Sequence, residues 1–592
     1  MTMAAHEPLT DLNVMVAGQG GDGSLTVISV LTELLARRGY HLYMARNVAS
    51  RIKGGHAAAM MRGSLLQRGC LGDHIDLLVA FDQEAVDMAA ARMAAESIVI
   101  FDSSDGALCR SALAKDVRAI EVPFGRFAVR DLRRDLFKNS LSFGVLSYFL
   151  SIDEEEAINC LHHTFRRLPK DAIAANTNAF DNGRQFASGY YPQQERWMLA
   201  DVERSEQLLI SGNEAIAFGF MLAGGRFFAG YPITPATEIL EWLQKNGTRF
   251  NAVTMQAEDE LAAINMVLGA AMTGVRSMTA TSGPGFALMQ ETISHAGSAE
   301  IPLVVVNCQR AGPSTGMPTK PEQSDINMMA FGANGDFPRV VLAPGGPRDC
   351  FELSVQATNL AQQLQCPVIL ALDQVVSQNA STVEPFDLDA VQLQHGKRVD
   401  ASELRNMSEY RRYQVTADGV SPWAVPGTPG GESLVTGNER NEWGQVSSNP
   451  ENRRVMVDKR QRKLDSNLHL LPRGNFWGDA DASIGLLGIG MQQGVIEEAQ
   501  QRLAAAGLRI KCLQPRTIWP VIDETLDFIR SSERVYVIEH NQGGQLARVL
   551  LAAGANKACI GSIRKYDGEP FSPGDLYSEI RQAEADRQGK SG

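Results

Sequence analysis

Closely spaced cysteines are missing from this chain. Its 592 residues include eight, Cys70, Cys109, Cys160, Cys308, Cys350, Cys366, Cys512 and Cys559, and no two stand at metal-ligand spacing. That pattern excludes a zinc or iron–sulfur site built from one short stretch. Scattered thiols of this kind read as reduced cysteines, mostly in cores. Basic charge is also in deficit. Lys and Arg number 56 against 68 Asp and Glu, a net charge of −12. Such a balance argues against a nucleic-acid partner, which calls for a basic stripe. No run approaches the ~18 unbroken apolar residues of a membrane-spanning helix. The opening MTMAAHEPLTDLN carries neither the basic nor the apolar region of a secretory signal. A cytoplasmic protein with no membrane partner is expected.

What is present is apolar and orderly. Hydrophobic residues make up 44% of the chain, enough for sizeable cores, and the length suggests three or four domains. Residues 1–190 alternate strand-like runs (NVMVAG, IDLLVAF, SIVIFD, VRAIEV) with helical patterns, as in a parallel α/β domain. Residues 191–205 are polar and read as a linker. A second α/β unit spans 206–379 and a third spans 481–592. Between them, 380–480 is rich in Gly, Pro and charge. A structureless loop of that length is unusual in a compact protein, so it is expected to be functional or to span a partner.

The first glycine cluster, VMVAGQGGDGS at 14–24, leaves three readings open. Strand, GxGGxG and helix place backbone N–H groups at one concave spot, which suits a phosphate. A dinucleotide site would want an acidic residue about 20 positions on, and HLYMARNVASR there is basic. Gly21-Asp22-Gly23 with Asn47 offers oxygens suited to Mg²⁺, but three loop residues separate Asp22 from its strand. The third reading is a turn that packs helix on strand and turns its amides toward a ligand.

Four later stretches are more specific: YPITP (231–235), QAEDE (256–260), TATSGPGFALMQE (279–291) and RAGPSTGMPTKPEQSD (310–325). Together with GxGGDG and SRIKGGH (50–56), they resemble the alpha subunit of a 2-oxoacid:ferredoxin oxidoreductase with a gamma domain fused at its N-terminus. The resemblance covers essentially the whole chain. It implies several parallel-sheet α/β domains: a gamma-type Rossmann-like domain, a pyrimidine-binding domain of the thiamine diphosphate fold, and a transketolase C-terminal-like domain. It implies a site shared with a beta subunit that carries Mg²⁺ and a [4Fe–4S] cluster, in an assembly with two copies of each chain. The implied reaction is CoA-dependent oxidative decarboxylation of a 2-oxoacid, with ferredoxin as electron acceptor.

The residues can be weighed on their own chemistry. A carboxyl held against the pyrimidine ring of thiamine diphosphate tunes that ring's proton inventory. By its match to QxE, Glu258 is the candidate, with Tyr231, Pro232 and Ile233 beside the cofactor. The alternative is that Glu258, Asp259 and Glu260 form an acidic first helical turn. Thr234, held between Pro232 and Pro235, could aim a hydroxyl at substrate, or could simply cap a helix. Arg310, after the apolar strand LVVVNCQ, suits a substrate α-carboxylate or a CoA phosphate. Thr319 is expected as a further substrate contact. Gly20, Gly21, Arg51, Lys53 and His56 are candidates for CoA. Lys53 is also a candidate for a second substrate carboxylate, which favours 2-oxoglutarate over pyruvate. A branched-chain or aryl oxoacid, a nicotinamide oxidoreductase and a non-catalytic scaffold remain as alternatives. In GNERNEWG (437–444), Arg440 and Asn441 replace the His and Asp of the family run, which puts inherited specificity in doubt if that loop meets substrate.

Overall fold

The protein is described by a computed structural model over residues 8–20, 23–48, 56–130, 137–191, 196–203 and 205–589. It divides into two compact units. One is Met1–Leu209 with Asn379–Pro385, and the other is Ile210–Gln378 with Phe386–Gly592.

In the first unit, the strands Asp11–Gln19, Ile75–Ala80, Met93–Asp102 and Arg118–Val122 run parallel in that order. On its other side Asp11–Gln19 pairs antiparallel with His56–Ser64. His56–Ser64 in turn pairs antiparallel with His41–Val48. The strand after the first helix, Ser24–Arg37, therefore runs in the same direction as the first strand but not beside it, because His56–Ser64 is inserted antiparallel between them. Among the described residues the first and second strands are thus not directly paired, unlike the adjacent strands of the βαβ unit in a dinucleotide fold. Ala380–Val383 adds beside His41–Val48, and Thr382 Oγ1 accepts from Leu42 N at 2.9 Å. Gly23 stands at φ 86°, and a Cβ there would lie 2.8 Å from Asn139 Cβ, so glycine alone fits this turn.

The second unit holds two sheets. The larger has the order Thr517–Trp519, Val340–Leu342, Pro367–Asp373, Leu303–Gln309, Ser277–Thr281, Phe227–Gly230, Val253–Gln256. All but the first strand run parallel. LVVVNCQ and PVILALD are buried at every position, as central strands covered on both faces must be. The smaller sheet has the order Asn475–Gly478, Ile510–Gln514, Ile484–Gly488, Arg534–Glu539, Ile560–Arg564. Thr517–Trp519 leaves that neighbourhood to pair antiparallel with Val340–Leu342, which stitches the C-terminal segment onto the larger sheet.

The Gly/Pro-rich stretch is ordered by charge. Glu300, 1% exposed, accepts from Lys459 Nζ at 2.7 and 2.9 Å and from Lys463 Nζ at 2.7 Å. Both lysines lie on the helix Pro450–Asp465. Burial alone would raise the Glu300 carboxyl, but Lys459, Lys463 and Arg412 hold it far below its ordinary value. One carboxylate faces three cations, and burial brings Lys459 down to about 8. Arg440 is fully buried: its Nη2 donates to Asn438 O at 2.8 Å, and its guanidinium lies 5.0 Å from the centre of the Tyr413 ring. The departure at Arg440 is thus a packed cation inside this layer.

Candidate active site

Four parallel strands of the larger sheet end on the same side, where open α/β sheets place their sites. Phe227–Gly230 runs into YPITP, Val253–Gln256 into Glu258, Ser277–Thr281 into SGPG, and Leu303–Gln309 into Arg310. Arg310 is 7% exposed. Its Nη1 donates to Thr234 O at 2.8 Å, so two predicted residues from distant stretches meet. Arg310 Nε is buried without a hydrogen-bond partner. Burial pulls the guanidinium below its ordinary pKa, opposed by Asp325 and Glu260. A buried guanidinium with an N–H left unpaired has the chemistry to receive an oxyanion.

Beneath it lies a polar cluster. Asp325 is 9% exposed, and its carboxylate accepts from Asn307 Nδ2 at 3.0 Å. Burial raises that carboxyl to about 6. Thr279 Oγ1, Ser282 Oγ and Asn307 Oδ1 are buried with no hydrogen-bond partner.

The three acidic residues of QAEDE separate in role. Asp259 caps the helix Glu260–Met272, its carboxylate accepting from Ala262 N at 2.7 Å. Glu260 is buried, so close to Gly285 that a Cβ there would lie 2.6 Å from its Oε1. Glu258 is exposed, and no hydrogen bond or ion pair within the described residues engages it. The acidic-turn reading therefore describes Asp259 and leaves Glu258 free. In the neighbouring stretches Tyr231, Val253, Met255, Leu261 and Met266 are exposed, as are the polar Gln256, Asp259 and Asn265. Of the other predicted residues in this stretch, Pro232, Ile233, Thr234 and Thr319 are half-buried.

Residues 219–455 match the family model described as pyruvate flavodoxin/ferredoxin oxidoreductase, thiamine diphosphate-binding. Residues 13–186 match the model described as pyruvate ferredoxin/flavodoxin oxidoreductase. Subunit alpha of 2-oxoacid:ferredoxin oxidoreductase 1 of Aeropyrum pernix is 30% identical over 600 residues, covering 91% of this chain and 92% of that one. This chain belongs to the 2-oxoacid:ferredoxin oxidoreductases. The 2-oxoglutarate oxidoreductase subunit KorA of Mycobacterium tuberculosis is 34% identical over 76% of this chain and 69% of its own. Among solved structures, the 2-oxoglutarate:ferredoxin oxidoreductase of Magnetococcus marinus, which has 2-oxoglutarate, coenzyme A and succinyl-CoA bound, superposes with a TM-score of 0.91. It is 32% identical, covering 97% of this chain and 99% of that one. The chain is thus an alpha-type subunit of an oxidoreductase, and the α/β architecture expected from its motifs is the one observed.

In this oxidoreductase chain the ring end of thiamine diphosphate finds a fitting donor set. A carboxylate without partners among the described residues stands exposed just past a strand end, free to hydrogen-bond a ring nitrogen. The N-terminal candidates stand differently. Gly21, Arg51 and Lys53 lie outside the described residues, whereas Gly20 is exposed at the end of the first strand. His56 is 7% exposed and pairs through Nε2 with Asp82 Oδ1 at 3.0 Å. The sequence motifs gave no role to Asn307, Gln323 or Asp325, although Gln323 and Asp325 stand at the end of RAGPSTGMPTKPEQSD, and gave Glu260 only a place in an acidic helical turn. A polar residue within a buried strand, as Asn307 is in LVVVNCQ, was the available signal.

Proposed function

We propose that this chain is the alpha subunit of a CoA-acylating 2-oxoglutarate:ferredoxin oxidoreductase. The reaction converts 2-oxoglutarate and CoA to succinyl-CoA and CO₂ and passes electrons to ferredoxin. The observation that carries this reading is the open edge of the buried Arg310, held by Thr234 O at the carboxyl end of the sheet. That fork binds the substrate's α-carboxylate, and Thr319 adds a contact. Thiamine diphosphate, when bound, supplies the carbanion chemistry that loss of CO₂ requires. Glu258 hydrogen-bonds its ring nitrogen, holds a proton there and orients the ring against Tyr231, Pro232 and Ile233.

Glu258 performs this badly in water and well in a low dielectric. Its exposure without a partner among the described residues supports a second polypeptide that covers it: a beta subunit carrying Mg²⁺ and a [4Fe–4S] cluster, in an assembly with two copies of each chain. The choice of 2-oxoglutarate is supported by the names of the M. tuberculosis and M. marinus relatives and by the cation Lys53, which suits a second carboxylate. Gly20, Gly21, Arg51 and His56 stay candidates for CoA.

The test is purification of the complex followed by a panel of 2-oxoacids with CoA and a viologen dye. A copurifying iron-containing chain and the highest kcat/KM for 2-oxoglutarate are expected. Preference for pyruvate or a branched-chain acid would overturn the substrate assignment.

A further inference from the structure

The arm that carries Arg310 is fastened at its far end by a different sheet. Gln323, 1% exposed, engages all its polar groups, most of them on that attachment and one on Asp373 of the larger sheet. Its N–H donates to His540 O at 2.8 Å, and its carbonyl accepts from Asn541 Nδ2 at 3.0 Å. Its side-chain Nε2 donates to Asp373 Oδ2 at 3.0 Å and to Ile489 O at 2.9 Å, while Oε1 accepts from His540 N at 3.3 Å. One residue on, Gln545 Nε2 donates to Ser324 O at 2.6 Å, and Gln545 Oε1 accepts from Asn327 N at 2.9 Å. Asn541 is itself held, accepting from Gln545 N at 3.1 Å and donating to Glu539 Oε2 at 3.0 Å.

The attachment reaches Arg310 by two short links. Asp325 N donates to Gln309 Oε1 at 3.0 Å, and Ser324 Oγ donates to Arg310 O at 3.3 Å. Between the ends the arm is tied across its own neck, Ala311 N to Lys320 O at 2.9 Å and Met317 N to Ala311 O at 3.0 Å. Gly316, at φ 56°, makes that neck possible, because a Cβ there would lie 1.8 Å from Ala311 O. The His540 ring, brought down to about 4 by burial, stays neutral near neutral pH, so the fastening carries no switchable imidazolium.

We propose that the segment Glu539–Gln545 is a positioning device for the oxoacid site. Asn541 and Gln545, acting through Gln323 and Ser324, fix the arm and so set the aim of the Arg310 fork. They are positioning residues and do not meet substrate. The inference rests on Arg310 binding the substrate carboxylate. It adds that the C-terminal sheet sets oxoacid affinity from behind. Pre-organisation of this kind appears in KM because the free arm must otherwise be ordered when substrate binds.

The experiment uses the intact complex with Gln545→Met, which keeps the side chain's length and removes both hydrogen bonds, and with Asn541→Ala as an independent second variant. Hydrogen exchange of the amides of residues 311–327 is followed against those of the core strand 303–309. Exchange in the arm is expected to quicken about tenfold in both variants, with the core strand unchanged. KM for the 2-oxoacid should rise about tenfold, while KM for CoA and thiamine diphosphate affinity hold. Unchanged exchange in the arm overturns the proposal. So does quickened exchange with an unchanged oxoacid KM, provided that Arg310→Lys in the same complex raises that KM. If Arg310→Lys also leaves KM unchanged, the failure lies in the substrate reading of Arg310.

Discussion

At the scale of the residue, the strongest statement is that Arg310 is buried with hydrogen-bonding capacity to spare. A charge-assisted hydrogen bond contributes about 1.5–3 kcal/mol, and a lysine keeps the charge but loses the fork. Arg310→Lys is therefore expected to raise the oxoacid KM by roughly ten- to a hundredfold, checked by steady-state kinetics with a viologen acceptor. Glu258 makes a different claim, because it has no protein partner to lose. Glu258→Gln should lower the rate of CO₂ exchange by about a hundred- to ten-thousandfold, with assembly intact by gel filtration. Exchange near the wild-type rate would remove its role. Asp325 is read through stability. Its folded carboxyl titrates at about 6 against an ordinary 3.8, because it is buried. Between those values the folded state binds the proton and the unfolded state does not, so stability falls as pH rises from about 4 to 6 and levels above. The span is roughly 3 kcal/mol at most. Asp325→Asn should flatten that dependence in urea titrations run at pH 4.5 and 7.

At the scale of the element, the polar stretch after the larger sheet shows why composition misleads. The helix Pro450–Asp465 is strongly charged, yet it buries Lys459 and Lys463 because Glu300 waits for them. Breaking a buried pair by removing one partner costs about 3–5 kcal/mol, since the remaining charges stay desolvated. Glu300→Gln leaves two ammoniums and a guanidinium without their carboxylate. It should shift urea unfolding of this unit by about that amount and open residues 450–465 to limited proteolysis. A shift under 1 kcal/mol would show that the cluster is solvated in solution. The alternation of strands and helices was legible because each element carries its own period. The tie between residues 300 and 459 was not, because no period spans that separation.

At the scale of the whole molecule, legibility divides by range. YPITP, QAED and R-x-GPSTG could be read because the chemistry of a parallel sheet collects at strand ends, where short motifs hold it. The burial of Asp325 and the pairing of Gln323 with residues near 373, 489 and 540 needed the folded chain, since each is set by partners distant in sequence; the parting of Glu258 from Asp259 is local, made by the helix cap on Ala262. Substrate choice depends on that same long-range order. A 2-oxoglutarate molecule presents two carboxylates, and on the proposed reading Arg310 answers one. The second needs a cation, and SRIKGGH offers Lys53 followed by Gly54 and Gly55, whose missing side chains leave room for a ligand. With pyruvate the same lysine is left without its anion and must stay hydrated, which penalises the smaller acid instead of rewarding it. Lys53→Ala should therefore lower kcat/KM for 2-oxoglutarate by about ten- to a hundredfold and leave that for pyruvate within a fewfold, moving the ratio toward pyruvate. The measurement is paired kinetics of both acids on one preparation. An unchanged ratio would mean that a cation elsewhere answers the second carboxylate, and the 2-oxoglutarate assignment would lose its sequence-level support.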